Sequence, residues 1–558
     1  MQTITKLIVP HGVDHIACQA EDRLTDQQKR MGKTEWFEAI RNRLTASLPW
    51  ILIGLGTGLR LRQFLMGRSL GHDESLLALN IIERSLTELA KPLDYSSAAP
   101  IGFLMVEKLL IQSFGNNEYA LRVFPFLAGV MSLILFYEVT KRCVGQTAVL
   151  IGLGLFAFSE PLIVYSSELK QYSSDVAIGL FLYLLGLFYL SQDKLSYPKL
   201  ILLGVAGPLA VFFSHPAVFI LAGVGIGLIA ADLRAKKWGK MSQLSVICSL
   251  WLFGFAILYM TSFRSLANNH FFVRGWRNLG AFMPLLPSSV AEFRWFASNF
   301  FETFRYPVGL PLAGLAALAF VTGCGNFLKN NKQTFLLLIA PILFTLLASG
   351  LHKYPFRGRL LLFLVPPVLV IIAKGVETII AASRQNIPIL GVATSVLLFF
   401  HPLFYATQHL LRPQTTEEMR PVVQYIKERK GAEDTLYIYY GAQFMFKYYQ
   451  GKYGFSERDY IVGIRSRNDV QNYIRDLEKL RGRDRVWFVF AHSFSRRGVD
   501  ERTFYLHYLD NVGTRLDAFE RFGAAVYLYD LTERPGLETP AGWRGFPNGS
   551  FRQSSFRQ

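Results

Sequence analysis

Between residues 46 and 405 the chain is written in apolar blocks of about twenty residues, separated by short polar loops. A helix needs a block of that length to cross the hydrocarbon core of a bilayer. Within hydrocarbon every backbone N–H and C=O must find a partner in the chain itself, so such blocks can fold only as helices packed on one another. The blocks fall near 46–66, 119–139, 145–164, 173–190, 199–214, 216–232, 242–260, 307–325, 334–351, 359–381 and 388–405, about eleven spans in all. The pair at 199–232 reads either as two spans or as one hairpin broken by Ser214-His215-Pro216. Only 18% of residues are charged, where a soluble protein carries about a quarter. The fold class expected is an α-helical polytopic membrane protein.

Lys and Arg in short loops set the orientation of such a bundle. Lys141-Arg142, Lys194 with Lys199, Arg234 to Lys237, Lys329 with Lys332, and Arg384 fall in alternate loops. Placing these in the cytoplasm puts residues 1–45 inside and residues 406–558 outside. The loops 67–118, 165–172, 261–306 and 352–358 then also lie outside. Residues 1–45 are polar and mixed in charge, so the first apolar helix is expected to be an uncleaved anchor. The net charge of +18 follows from these basic loops, and no nucleic-acid-binding motif accompanies it. Cys18, Cys143, Cys248 and Cys324 form neither a CxxC pair nor a metal-ligand spacing.

Two outer loops are long. In the first, Ser75–Ala90 and Ala99–Phe114 have helical periodicity and read as helices lying along the membrane surface. Loop 261–306 holds Trp276 and Trp295, which suit an interface. Residues 406–533 differ from the rest. Thr416–Lys430 and Asn468–Leu480 read as amphipathic helices, while Thr435–Tyr440, Arg485–Phe490 and Ala524–Tyr529 read as buried strands. A small C-terminal α/β soluble domain is expected there, followed by a disordered tail over 534–558, rich in Gly, Pro, Ser and Arg.

Three constellations could carry chemistry. Asp73-Glu74 follows the first span; it is either a helix cap or a general base taking the proton of an attacking hydroxyl or amine. Glu168 and Lys170 lie in the short loop Tyr165–Tyr172, either as a local ion pair or as groups that face substrate. Lys353, Tyr354, Arg357 and Arg359 form a basic cluster on the outer side, against the charge pattern of the other loops. Such a cluster offers charge-assisted hydrogen bonds to a lipid phosphate, or generic attraction to headgroups. Arg60 and Arg62 either add to that positive zone or snorkel to the interface.

With Asp73-Glu74 in the first outer loop, Pro100 before a second surface helix, and Ser166-Ser167-Glu168-Leu169-Lys170-Gln171-Tyr172 like a Ser-x-Glu-x-Arg-x-Tyr motif, residues 46–405 resemble the GT-C superfamily of polytopic glycosyltransferases. The branch resembled holds protein O-mannosyltransferases and the lipid A aminoarabinose transferase. Lys170 stands where Arg is commoner, keeping the charge but losing the bidentate fork. The resemblance implies a GT-C type fold and an inverting transfer of a sugar from a polyprenyl-phosphate-linked donor to an acceptor outside the cytoplasm. It implies Asp73 as base and Glu168 as a catalytic group holding the acceptor or a divalent ion. Glu74, Lys170, Tyr172, Lys353, Tyr354, Arg357 and Arg359 would bind substrate and lipid phosphate. No cofactor is required, since the family does not uniformly need a metal, though a divalent metal is compatible. The partners implied are the polyprenyl-phosphate-linked sugar, membrane lipid, and an acceptor that could be lipid, polysaccharide or protein. The expected location is the cell membrane, multi-pass, the inner membrane in a bacterium. The rival reading, a transporter or lipid flippase, would call for paired hydropathy repeats with broken helices. A receptor headed by residues 412–532 would not need Asp73 with Glu168.

Overall fold

The computed structural model describes residues 33–263, 270–384, 387–467, 469–496 and 499–532. The tail expected to be disordered, and Cys18, lie outside the described residues. The chain divides into two compact units after Leu55. The first, as far as it is described, is the N-terminal part of helix α1 (Lys33–Leu65). Everything below concerns the unit from Gly56 onward.

Every apolar block coincides with helix. Among the described residues seven segments are long and apolar enough to cross a membrane: Ala120–Cys143, Tyr172–Leu190, Ala217–Arg234, Trp238–Thr261, Lys332–Gly350, Gly358–Ser383 and Pro388–Leu411. Gln146–Phe158 and Tyr197–Phe213 are apolar but shorter; Ala313–Asn330 and α1 carry the other two blocks. Among the described residues there are thus seven helices long and apolar enough to span, and four further helices, where about eleven spans were expected. Ser214-His215-Pro216 does separate two helices, Tyr197–Phe213 and Ala217–Arg234.

The expected span 145–164 is interrupted. Gln146–Phe158 ends at Ser159, and Glu160–Tyr165 restarts with a proline in its first turn. Pro161 has no N–H to give to the carbonyl four residues back, that of Ala157. Arg60 supplies the missing donor: its guanidinium reaches Ala157 O at 3.2 Å, Phe156 O at 3.4 Å and Gly56 O at 3.0 Å. It is fully buried. Arg60 therefore neither joins a positive surface zone nor snorkels, as its sequence position suggested; it repairs a broken helix. Small residues set the closest packing elsewhere. A Cβ on Gly323 would stand 2.0 Å from Ile371 O, and one on Gly375 1.7 Å from Ala319 O.

In the first outer loop, α2 (His72–Glu83) ends earlier than expected and α3 (Ile101–Phe114) falls as expected. The C-terminal region is a five-stranded sheet in the order β2-β1-β3-β7-β6. Its strands are β1 (Thr435–Ile438), β2 (Ile461–Val462), β3 (Val486–Ala491), β6 (Thr514–Arg521) and β7 (Ala524–Asp530); β4 (Ser495–Arg496) and β5 (Val499–Asp500) pair separately. β1 is parallel to β2 and β3; β7 is antiparallel to β3 and β6. All six residues of β3 are buried, and they alternate between two cores. Trp487, Val489 and Ala491 face one that includes Leu77, Ile81 and Leu104 from the first outer loop. Val486, Phe488 and Phe490 face the other, with Tyr473, Leu477 and Tyr505. Helices α2 and α3, expected to lie along a membrane surface, thus share a core with the C-terminal sheet.

Candidate active site

The site begins where α2 begins. Gly71 is the N-cap residue, and the Glu74 carboxylate returns to accept its N–H at 3.1 Å. A Cβ on Gly71 would lie 3.0 Å from Thr416 Oγ1 and 3.2 Å from Glu417 Oε2, so a glycine is what lets the C-terminal region close on this turn. Three successive residues there fasten the loop. Thr416 Oγ1 accepts from Arg68 at 3.1 Å, Glu417 Oε2 accepts the His72 N–H at 2.7 Å, and Glu418 Oε2 accepts the Ser69 hydroxyl at 2.9 Å. The other oxygen of Glu417 pairs with His492 Nδ1 at 2.7 Å, and the His492 ring stacks on His72 with centroids 4.0 Å apart.

The two adjacent acids have opposite surroundings. Glu74 is buried, 3% exposed. Its Oε2 accepts from Arg68 at 3.0 Å and Arg122 Nη2 at 2.8 Å, besides Gly71 N; its Oε1 accepts from Arg122 Nε at 2.9 Å and from Leu169 N at 2.8 Å. Five donors use both oxygens fully. Burial opposes ionisation, but the Arg122 and Arg68 guanidiniums outweigh it and hold the carboxyl below its ordinary range. The bond to Leu169 N is what places the Glu168 loop beside α2.

Asp73 points the other way. Its Oδ2 accepts from Arg359, whose guanidinium also lies 5.6 Å from the centroid of the Tyr172 ring. This pair is open, with side chains 41% and 35% exposed, against 2–4% for the Glu74 pairs. Enclosure by protein would raise the Asp73 carboxyl, but Arg359, Lys170 and His72 hold it well below the usual carboxylate range. Lys170 is buried beside the pair; burial lowers its ammonium, and Asp73 pulls it back up. Glu168 lies 3.6 Å from Arg68. Burial raises its carboxyl, Arg68 opposes this and Glu74 adds to it. Tyr165, packed edge-on against Tyr172 with centroids 5.2 Å apart, shares a hydroxyl contact with Tyr306.

Of the residues singled out in the sequence, Asp73, Glu74, Glu168, Lys170, Tyr172 and Arg359 therefore meet. The rest of the basic cluster makes other contacts. Tyr354 gives its hydroxyl to Leu360 O at 2.8 Å and its ring to Phe219. Arg357 is exposed and donates to Leu279 O, and Lys353 is exposed. Sequence reading missed Arg68, Arg122, Glu417 and His492. Arg68, six residues before Glu74, was close enough to be weighed as its countercharge; Arg122 lies 48 residues away, and Glu417 reaches His72 across 345, so they and His492 give no local signal.

A divalent ion does not fit well here. Among the described residues no group of three or more His, Cys, Asp or Glu is arranged to hold a metal ion, and Asp73 and Glu168 each face a guanidinium.

No protein-family model matches the sequence, and no curated protein does. Among solved structures the chain is similar to ArnT from Cupriavidus metallidurans bound to undecaprenyl phosphate, with TM-score 0.49 and 13% identity over 91% of this chain and 100% of that one. It is also similar to the oligosaccharyltransferase AglB from Archaeoglobus fulgidus in complex with an inhibitory peptide and a dolichol-phosphate, with TM-score 0.46 and 11% identity over 87% of this chain and 74% of that one.

Proposed function

We propose that this chain is a membrane glycosyltransferase of GT-C type that takes a sugar from a polyprenyl-phosphate carrier at the non-cytoplasmic face, with inversion. The observation that carries the reading is the open pair of Asp73 and Arg359, with Lys170 beside it, at the start of the apolar segment Gly358–Ser383. A carboxylate and a phosphate-binding cation next to hydrocarbon are what attack on a lipid-linked phosphosugar needs. The positions of Lys and Arg in the short loops support the outer placement.

In this mechanism the acceptor's hydroxyl or amine lies against Asp73, which takes its proton as the nucleophile reaches the anomeric carbon. The bond from that carbon to the phosphate oxygen breaks, its electron pair leaves with the phosphate, and Arg359 and Lys170 stabilise the charge that appears there. Glu168 orients the acceptor. Glu74, with no lone pair to spare, positions Asp73 and the Glu168 loop. Lys353 and Arg357 serve the outer rim, where the headgroup arrives.

The test supplies purified protein in nanodiscs with a panel of labelled undecaprenyl-phosphate sugars and with envelope lipid, polysaccharide and protein fractions. Wild type is expected to move label from one donor to one fraction. Asp73→Asn is expected to lose about 10²–10⁴-fold with unchanged thermal stability. Donor label recovered chemically unchanged with every acceptor fraction, or full activity of Asp73→Asn, overturns the reading.

A further inference from the structure

Resting on that function, we infer that Arg359 is a shared cation: it holds Asp73 in the resting protein and passes to the carrier phosphate as the acceptor's proton reaches Asp73.

Asp73 and Arg359 are mutual partners, which presents a difficulty for a base. A carboxylate held by a guanidinium is a weak proton acceptor, and Arg359 so held is not free for phosphate. Both problems have one solution if phosphate and Asp73 compete for the same guanidinium. The surroundings favour this. The pair is more than a third exposed, so a ligand can reach it, unlike the sealed pairs of Glu74. Arg359 lies over the Tyr172 ring face, which stabilises the cation whichever anion it meets. Lys170 stays beside Asp73, so the carboxylate is not left alone when Arg359 turns away; burial keeps His72 neutral.

The charges balance through the step. In the donor the phosphate is a diester with one negative charge. As the sugar leaves, the phosphate gains the electron pair of the broken bond. At the same moment Asp73 gains the acceptor's proton and becomes neutral. The guanidinium loses its reason to remain on Asp73 when the phosphate most needs it. Net charge in the cleft stays constant, while one cation serves two anions in turn.

The probe is undecaprenyl phosphate, the product-side carrier, bound to the full chain in nanodiscs; undecaprenol and inorganic phosphate are the controls. Arg359→Ala should bind it at least tenfold more weakly than wild type. Asp73→Asn should bind it about three- to tenfold more tightly, because the competing carboxylate is gone; Asp73→Ser, a good residue near a helix start, repeats the measurement should the amide misfold. The decisive arm is the double variant. If Asp73 acts through Arg359, Asp73→Asn gains nothing once Arg359 is Ala. An equal gain in both backgrounds means simple loss of negative charge, and no gain in either means no competition; each overturns the sharing while leaving the transferase reading intact. Equal binding of undecaprenol, or full displacement by millimolar inorganic phosphate, instead overturns the lipid-phosphate reading itself.

Discussion

Replacing Glu74 by Gln should loosen two segments far apart in sequence at once. The carboxylate accepts five hydrogen bonds, three of them from Arg68 and Arg122. An amide has one oxygen for these donors, and its NH2 would face Arg122 Nε and Leu169 N or else the Oε2 group. Removing one partner of a buried ion pair costs about 3–5 kcal/mol, and here two cations lose their partner. At about 1.4 kcal/mol per decade, local opening should rise by roughly 10²- to 10³-fold. The assay is amide hydrogen exchange by mass spectrometry on peptides covering 66–80 and 165–172, since the Gly71 and Leu169 amides are direct donors. Glu168→Gln is the control: its one ion pair is long, at 3.6 Å, and exchange should change little. Because the Glu74 carboxyl is depressed by Arg122 and Arg68 against the opposing effect of burial, its contribution is complete above the unfolded value of about 4.3 and is lost as pH falls below that. Exchange at Leu169 within threefold of wild type in Glu74→Gln would refute the positioning role and return Glu74 to the substrate.

Glu107 on α3 is fully buried, with no hydrogen-bond partner for either oxygen among the described residues, and burial raises its carboxyl well above the usual range. Its folded form holds a proton the unfolded chain releases, so wild-type stability falls as pH rises above about 4.3. Glu107→Gln should therefore be more stable than wild type at pH 8 and equal to it near pH 4, by thermal unfolding; a constant difference would mean the carboxyl does not titrate in this way. Glu417→Ala removes the acceptor of the His72 N–H and the partner of His492. A shift of about 1 Å at Asp73 would cost on the order of 10²-fold in turnover, with undecaprenyl phosphate binding unchanged; a parallel loss of both would indicate general misfolding. Lys353→Ala and Arg357→Ala should weaken undecaprenyl phosphate binding less than Arg359→Ala does, and equal losses would place all three on one phosphate.

The membrane region was legible because hydrocarbon imposes a single rule on every block. The apolar runs marked helices, and Ser214-His215-Pro216 marked a break. Where the reading erred, a single residue decided the outcome. Pro161 divides one run, and Arg60, taken for a surface cation, turns inward to the carbonyl that the proline leaves. In the C-terminal region three strands stood out because both their faces are buried. β6 did not: it is mostly exposed or half-buried and reads as polar sequence. Helix Glu501–Val512 was missed as well, though Asp500 caps it by accepting the Thr503 N–H at 2.6 Å. Of the site, the two acidic motifs and Arg359 were legible as charges out of place near hydrocarbon. Their pairing was not, since Arg359 reaches Asp73 across 286 residues.

Asp73 and Glu74 also bear on why two neighbouring acids are not redundant. Side chains one residue apart on a helix point about 100° from each other. The capping turn at Gly71 therefore forces a division: the carboxylate that reaches back to Gly71 N is sealed against Arg68 and Arg122, and its neighbour is left partly exposed against Arg359. The sealed acid is held between two buried guanidiniums, and one of them, Arg68, also faces Glu168 at 3.6 Å. The C-terminal region completes the arrangement from outside. Glu417 takes the His72 N–H, Glu418 takes Ser69, and the Glu418 N–H is itself held by Phe522 O at 2.8 Å in the turn between β6 and β7. Asp73 thus stands on a turn gripped by the Glu74 network on one side and the C-terminal sheet on the other. If Asp73 is the base, as proposed, the C-terminal region belongs to the catalytic apparatus, since its removal would free the turn that carries Asp73.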